Sequence, residues 1–293
     1  MGRPQSDRQR PASARDAGDR MKLHRRLVRL DGREHTVITL RPGARARYST
    51  NYHHQTWHVL SDQHGAAVLA RLLWGLSYQR RPGTLVLIDR PSLDPNPFDA
   101  TPADPIVLIS TPLTNLTSGL ARSLPRMLPL TSPPEGTVRW HTPGLDPAVA
   151  TSRARSAAIA RREYDWNQPA WQPPVRAGLA RVERIGGVLA LIAPPERLRT
   201  WAVYAAQLGD WWHDGIDYTE LDSTGVGPRR RDGEIQIFRD YHRRVRTARV
   251  ARREILAGQP RQLSPADVNP LIWNHLDAVR ARNTPARPPA AIR

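Results

Sequence analysis

Four of the chain's ten histidines, His53, His54, His58 and His64, fall within thirteen residues, YHHQTWHVLSDQH (52–64). Imidazoles at this density suggest a metal site or an acid/base centre. His54 and His58 share a side in a helix and in a strand, so two could face one ion. A catalytic zinc site, however, needs a third protein ligand and a fixed outer shell. No H-E-x-x-H spacing occurs, and no Asp or Glu stands between Glu34 and Asp62. His53, His54 and His58 therefore read as a polar strand face, and no metal site is assigned. His64 differs, because it follows a strand-like segment and opens a helix-like one. An imidazole in such a loop is suited to acid/base work. The catalytic candidates are His64 with Asp62 and Asp89.

A second concentration of polar groups, Asp210, Asp214, Asp217, Glu220 and Asp222 around His213, fits no calcium-loop spacing. It reads as turn chemistry and as counter-charge for the chain's arginines.

These residues need elements to position them. HTVITL (35–40) and QTWHVL (55–60) have strand character, and residues 66–79 carry Leu69, Leu72, Leu73 and Leu76 at helical spacing. TLVLID (84–89) and IVLIS (106–110) are continuous apolar runs, as expected of strands buried on both faces. Strand, helix and strand over about 35 residues have the size of a βαβ crossover. If 55–60 and 84–89 lie side by side and parallel, the loops beyond their carboxyl ends form the crevice where open α/β sheets bind ligands. That places Gly65, Arg90, Ser110 and Thr111 in a nucleotide- or phosphate-sized pocket, with a helix N-terminus to attract an anion. No G-x-G-x-x-G, P-loop or G-x-S-x-G spacing occurs, and no cofactor is specified. Further on, the pattern gives a short helix near 116–122, a strand at 137–142 and a helix at 147–166. A hairpin turning at Gly186–Gly187 and a helix at 194–212 follow. A long helix at 234–258 and a last one capped by Ser264 complete the reading.

Charge organises the chain at a coarser scale. The net charge is +17, with Lys22 the single lysine. Residues 1–47 hold 13 basic and 5 acidic side chains, residues 229–293 hold 15 and 6, and the stretch between is balanced. The expected organisation is a disordered basic tail (1–20), an α/β domain (21–223) with a mixed, partly parallel sheet and flanking helices, and a basic helical segment (224–293). Without cysteine, disulfides and thiolate chemistry are excluded, and a cytoplasmic setting is the expectation. No apolar run reaches the length of a membrane span, and the N-terminal stretch lacks the apolar region of a secretory signal. On the 234–258 helix, Phe238, Tyr241, Val245, Ala248 and Ile255 form an apolar stripe. Arg239, Arg243, Arg246, Arg249 and Arg253 gather on another face, preceded by Arg229, Arg230 and Arg231. Such a face suits phosphates. The leading expectation is a protein whose basic ends contact nucleic acid or another polyanion. The alternatives are an enzyme acting on a small polar substrate through His64, and an adaptor docking on an acidic protein.

Overall fold

The computed structural model describes residues 21–161, 180–209, 211, 215–221, 233–258 and 263–283. The expected disordered tail (1–20), Arg229–Arg231, and His213 with Asp210, Asp214 and Asp222 lie outside these residues. The fold is α/β, with mixed parallel and antiparallel sheets flanked by helices. In chain order the elements are β1 (Lys22–Leu30), β2 (Arg33–Thr39), β3 (Tyr48–His53), β4 (Thr56–Ser61), α1 (Gln63–Ser77), β5 (Thr84–Ile88), β6 (Ile106–Ser110), α2 (Ser118–Met127) and β7 (Gly136–Arg139). Then come α3 (Leu145–Ala160), β8 (Arg181–Ile185), β9 (Val188–Ala193), α4 (Pro195–Gln207), β10 (Ile216–Leu221), β11 (Gly233–Phe238), α5 (Tyr241–Ala257) and α6 (Pro265–Asn283).

Two sheets form. The larger runs β7-β1-β2-β5-β6-β9-β8 and the smaller β10-β11-β4-β3. The apolar runs β5, β6 and β9 are buried along their whole length at the centre of the larger sheet. On one face Val86, Leu108 and Leu191 pack with Leu72 and Leu73 of α1, Trp201 of α4 and Ile235 of the smaller sheet. On the other, Leu85, Val107 and Ile109 pack against Leu120 and Leu124 of α2. The leucine stripe of α1 is wholly buried. Gly75 on that helix is required by packing: a Cβ there would lie 2.1 Å from Nε1 of Trp140, whose indole donates to the Arg71 carbonyl at 2.9 Å.

The crossover expected from the sequence is not formed as read. β4 lies between β3 and β11 in the smaller sheet, and β5 lies between β2 and β6 in the larger one. α1 therefore passes from one sheet to the other. β3 and β4 pair through a two-residue turn, His54–Gln55, both at positive φ (48° and 61°). That local hairpin occupies one edge of β4, and the parallel strand β11 occupies the other. β5 and β6 are antiparallel, so their loops leave from opposite ends.

The expected helix at 234–258 is also corrected. Its first residues are β11, where Ile235 and Ile237 are buried while Glu234 and Gln236 are half-buried. This period of two belongs to a strand, and helix α5 starts at Tyr241. Phe238 and Arg239 are thus off the helix. Tyr241, Val245 and Ala248 are its buried stripe, and α6 packs on it through Ala251, Val268, Ile272 and Leu276. Among the described residues, no helix is long and apolar enough to cross a membrane.

Candidate polyanion-binding surface

β4 and β11 run parallel, with Ile237 beside Ser61, so their carboxyl ends coincide. The helices that follow, α1 and α5, begin next to each other. Asp62 is the N-cap of α1 and accepts from the Gly65 amide at 2.7 Å. Its other oxygen lies 3.1 Å from Nε2 of His242 in the first turn of α5. Gly65 is fixed by crowding, because a Cβ would sit 1.8 Å from the Ser61 hydroxyl. Its carbonyl accepts from the Tyr48 hydroxyl at 2.9 Å. Burial, then the Asp62 charge, pushes the Tyr48 phenol well above its usual range. Tyr241 is fully buried next to His242, and its hydroxyl has no hydrogen-bond partner among the described residues. Burial, then Asp94 and Asp62, raises its pKa as well. The carboxylate expected to serve His64 is therefore engaged with the helix start and with His242.

His64 points elsewhere. It is exposed and, with Val68 and Arg71 at helical spacing on α1, lines a cavity of about 630 Å³ closed by the start of β1 and the loop after β2. Lys22, Arg41, Arg45 and Arg71 join His64 in the lining, and among the described residues no Asp or Glu does. None of these five groups has a carboxylate partner among the described residues. The loop itself is held by Arg47, which donates to the Ala44 and Ala46 carbonyls, and by the Ser61 hydroxyl donating to the Arg47 carbonyl at 2.6 Å.

From His242 onwards α5 presents an exposed face. Arg243, Arg246, Arg249 and Arg253 are exposed along it. Arg243 pairs with Asp240 at 2.7 Å and Arg249 with Asp94 at 3.0 Å. Arg246 and Arg253 have no carboxylate partner among the described residues. Burial alone would raise the Asp240 pKa, but hydrogen bonds from Arg243 and Arg244 outweigh it and hold the carboxyl below its usual range. Arg239, in the turn before the helix, stacks over Trp211 at 5.0 Å.

The remaining candidates are dispersed. In the β5–β6 register Ile88 faces Ile106, so Asp89 and Ser110 lie at opposite ends of that pair. Asp89 is half-buried. Burial raises its pKa, opposed by backbone hydrogen bonds and by the charge of Arg26. Arg90 is exposed in a short 3₁₀ turn. The Ser110 hydroxyl is buried without a partner among the described residues, and the Thr111 amide donates to the Ala193 carbonyl. The loop after Ser110 borders a cavity of about 510 Å³ that carries both signs of charge, with Asp31, Arg33 and Glu34 in its lining. The Gly65 amide is taken by Asp62 and is not presented to a ligand.

Among the described residues no three His, Asp or Glu side chains are grouped to hold a metal ion. His54 lies in the turn, so it does not share a strand face with His58. Sequence reasoning missed the cationic lining and His242. The repeated arginines of RPGARAR (41–47) were the available signal, but a turn signature covered them. Comparisons with protein-family models, with curated proteins and with solved structures gave no match, so the surface is interpreted from its own chemistry.

Proposed function

We propose that the protein binds nucleic acid along a surface running from the cation-lined cavity, past the loop 41–47 and the Asp62–His242 contact, onto the arginine face of α5. The supporting observation is continuity. Asp62 stands two residues before His64 of the cavity lining and touches His242, the residue before Arg243 on α5. Arg243 to Arg253 span about 15 Å of helix, over which one strand of a duplex carries about four phosphates. Guanidinium groups present a planar fork that phosphate oxygens accept from two donors at once. The absence of counter-charge at Arg246, Arg253, Arg41, Arg45 and Arg71 among the described residues leaves those forks available.

Affinity for single- and double-stranded DNA and RNA, measured with the full chain across a salt series, tests the reading. Binding should fall linearly with log salt. The double variant Arg246→Ala/Arg253→Ala should reduce the slope by about 1.5–2. Affinity that ignores both salt and these substitutions would refute the proposal. Selective capture of an acidic protein with no nucleic-acid binding would assign the same surface to another class of partner.

A further inference from the structure

A third cavity lies at the other end of α1. Its floor is Trp74 and Tyr78, one wall is α4 and the other is α3, and it encloses about 810 Å³. Arg71 of the basic cavity stands one turn before Trp74 on α1, but the two cavities share no lining residue, so this cleft and the basic surface are distinct places.

The wall supplied by α3 is unusual for a packed helix. Thr151, Ser152, Arg155 and Ser156 face the cleft, and within the whole helix only Leu145 is buried. A helix packed closely on α4 would carry an apolar stripe at this spacing. Here Pro147, Ala148 and Ile159 line the two ends of the inner face and hydroxyls its middle, and space remains between the helices. Opposite, Arg197 and Arg199 are both half-buried. Among the described residues neither has a carboxylate partner, and no Asp or Glu lines the cleft. A partly desolvated guanidinium without counter-charge is unfavourable, so an anion entering the cleft is favoured. The third feature is aromatic. Tyr78 and Tyr204 are 54% and 42% exposed, and Arg199 already lies over the Tyr78 ring at 5.3 Å. Trp74 is held in place by its indole donating to the Pro143 carbonyl at 3.1 Å.

A volume of this size suits a small organic ligand. Arginines without counter-ions select an anion, exposed ring faces select a planar apolar group, and a row of hydroxyls selects a ligand with hydrogen-bonding groups between the two. We infer that this cleft binds a mononucleotide, its base against Tyr78 and Tyr204 and its phosphate on Arg197 and Arg199. Inorganic phosphate has no use for the aromatic floor, and an apolar ligand would leave the guanidinium groups uncompensated. The site is independent of the nucleic-acid surface.

Isothermal titration of the full chain with ATP, AMP, adenosine and pyrophosphate tests it. The nucleotides should bind with Kd of about 1–100 µM, and adenosine and pyrophosphate at least about tenfold more weakly. Arg197→Gln/Arg199→Gln should weaken ATP by about tenfold or more. Ser156→Trp, at an exposed position on α3, should block the cleft while leaving the thermal midpoint unchanged. Arg246→Ala/Arg253→Ala should leave ATP affinity unchanged. The inference is overturned if millimolar nucleotide gives no binding or if pyrophosphate binds as tightly as ATP. It is equally overturned if Ser156→Trp binds ATP normally, or if the loss follows the α5 substitutions.

Discussion

His58 sits in the interior of β4, 7% exposed, with Nε2 3.8 Å from a Glu234 oxygen. That carboxylate favours an imidazolium, but it also accepts from the Gln236 amide at 2.6 Å. Burial outweighs it, followed by the charges of His53 and His54, and the His58 pKa falls to about 4. The folded chain therefore keeps this ring neutral, whereas an unfolded chain protonates it near 6.5. Between these values the unfolded state binds more protons. The contribution is complete above about pH 6.5 and drains as pH falls towards 4. Urea unfolding at pH 7 and pH 4.5 should show His58→Gln losing about 2 kcal/mol less than the parent; equal losses in the two proteins would refute the assignment. At this scale the sequence was informative where chemistry is local. His64 at the opening of a helix follows from neighbouring residues. His242 did not, because its partner Asp62 is 180 positions away.

Among the elements, the β3–β4 hairpin makes the sharpest prediction. Its turn places two non-glycine residues, His54 and Gln55, in the left-handed region, a conformation that costs an ordinary residue roughly 1 kcal/mol and that Asn-Gly adopts readily. His54→Asn/Gln55→Gly should raise stability by about 0.5–1 kcal/mol, read as a higher urea midpoint at unchanged m-value. A lower midpoint would show that the tilted His53 and His54 rings, with centroids 3.8 Å apart, contribute more than the backbone costs. Elements were legible wherever burial imposes a clear pattern, as in β5, β6, β9 and the leucine stripe of α1. β11 was misread because Phe238, Tyr241 and Val245 continue at helical spacing, while the evidence of a strand is confined to Ile235 and Ile237. β1 was missed because KLHRRLVRL interrupts its alternation with adjacent arginines.

For the whole molecule, one contact links the described parts of the two basic stretches: Asp62, two residues before His64, lies 3.1 Å from His242, the residue before Arg243. β1 and the loop 41–47 bring Lys22, Arg41 and Arg45 into one cavity with His64, and α5 carries its arginines on from His242. If one nucleic acid engages both, Arg41→Ala/Arg45→Ala and Arg246→Ala/Arg253→Ala should each lower the salt slope, and their combination should lower it by the sum. A combined variant no different from one pair would confine binding to one side. The composition made the charge visible, but the Asp62–His242 contact depends on pairing between strands far apart in the chain.

That pairing also sets an order of assembly. Gly233–Ile237 of β11 pair with Trp57–Ser61 of β4, so during synthesis β4 leaves the ribosome long before its second neighbour exists. Until then the hairpin presents a row of unmatched amides and carbonyls beside Tyr52 and Trp57, an edge prone to pairing with other chains. Contacts this remote along the chain close slowly. A chain ended after residue 222 should therefore accumulate as aggregates, or as a compact state without near-ultraviolet dichroism. A soluble shortened chain with native dichroism would show that the smaller sheet does not depend on its late-arriving strand.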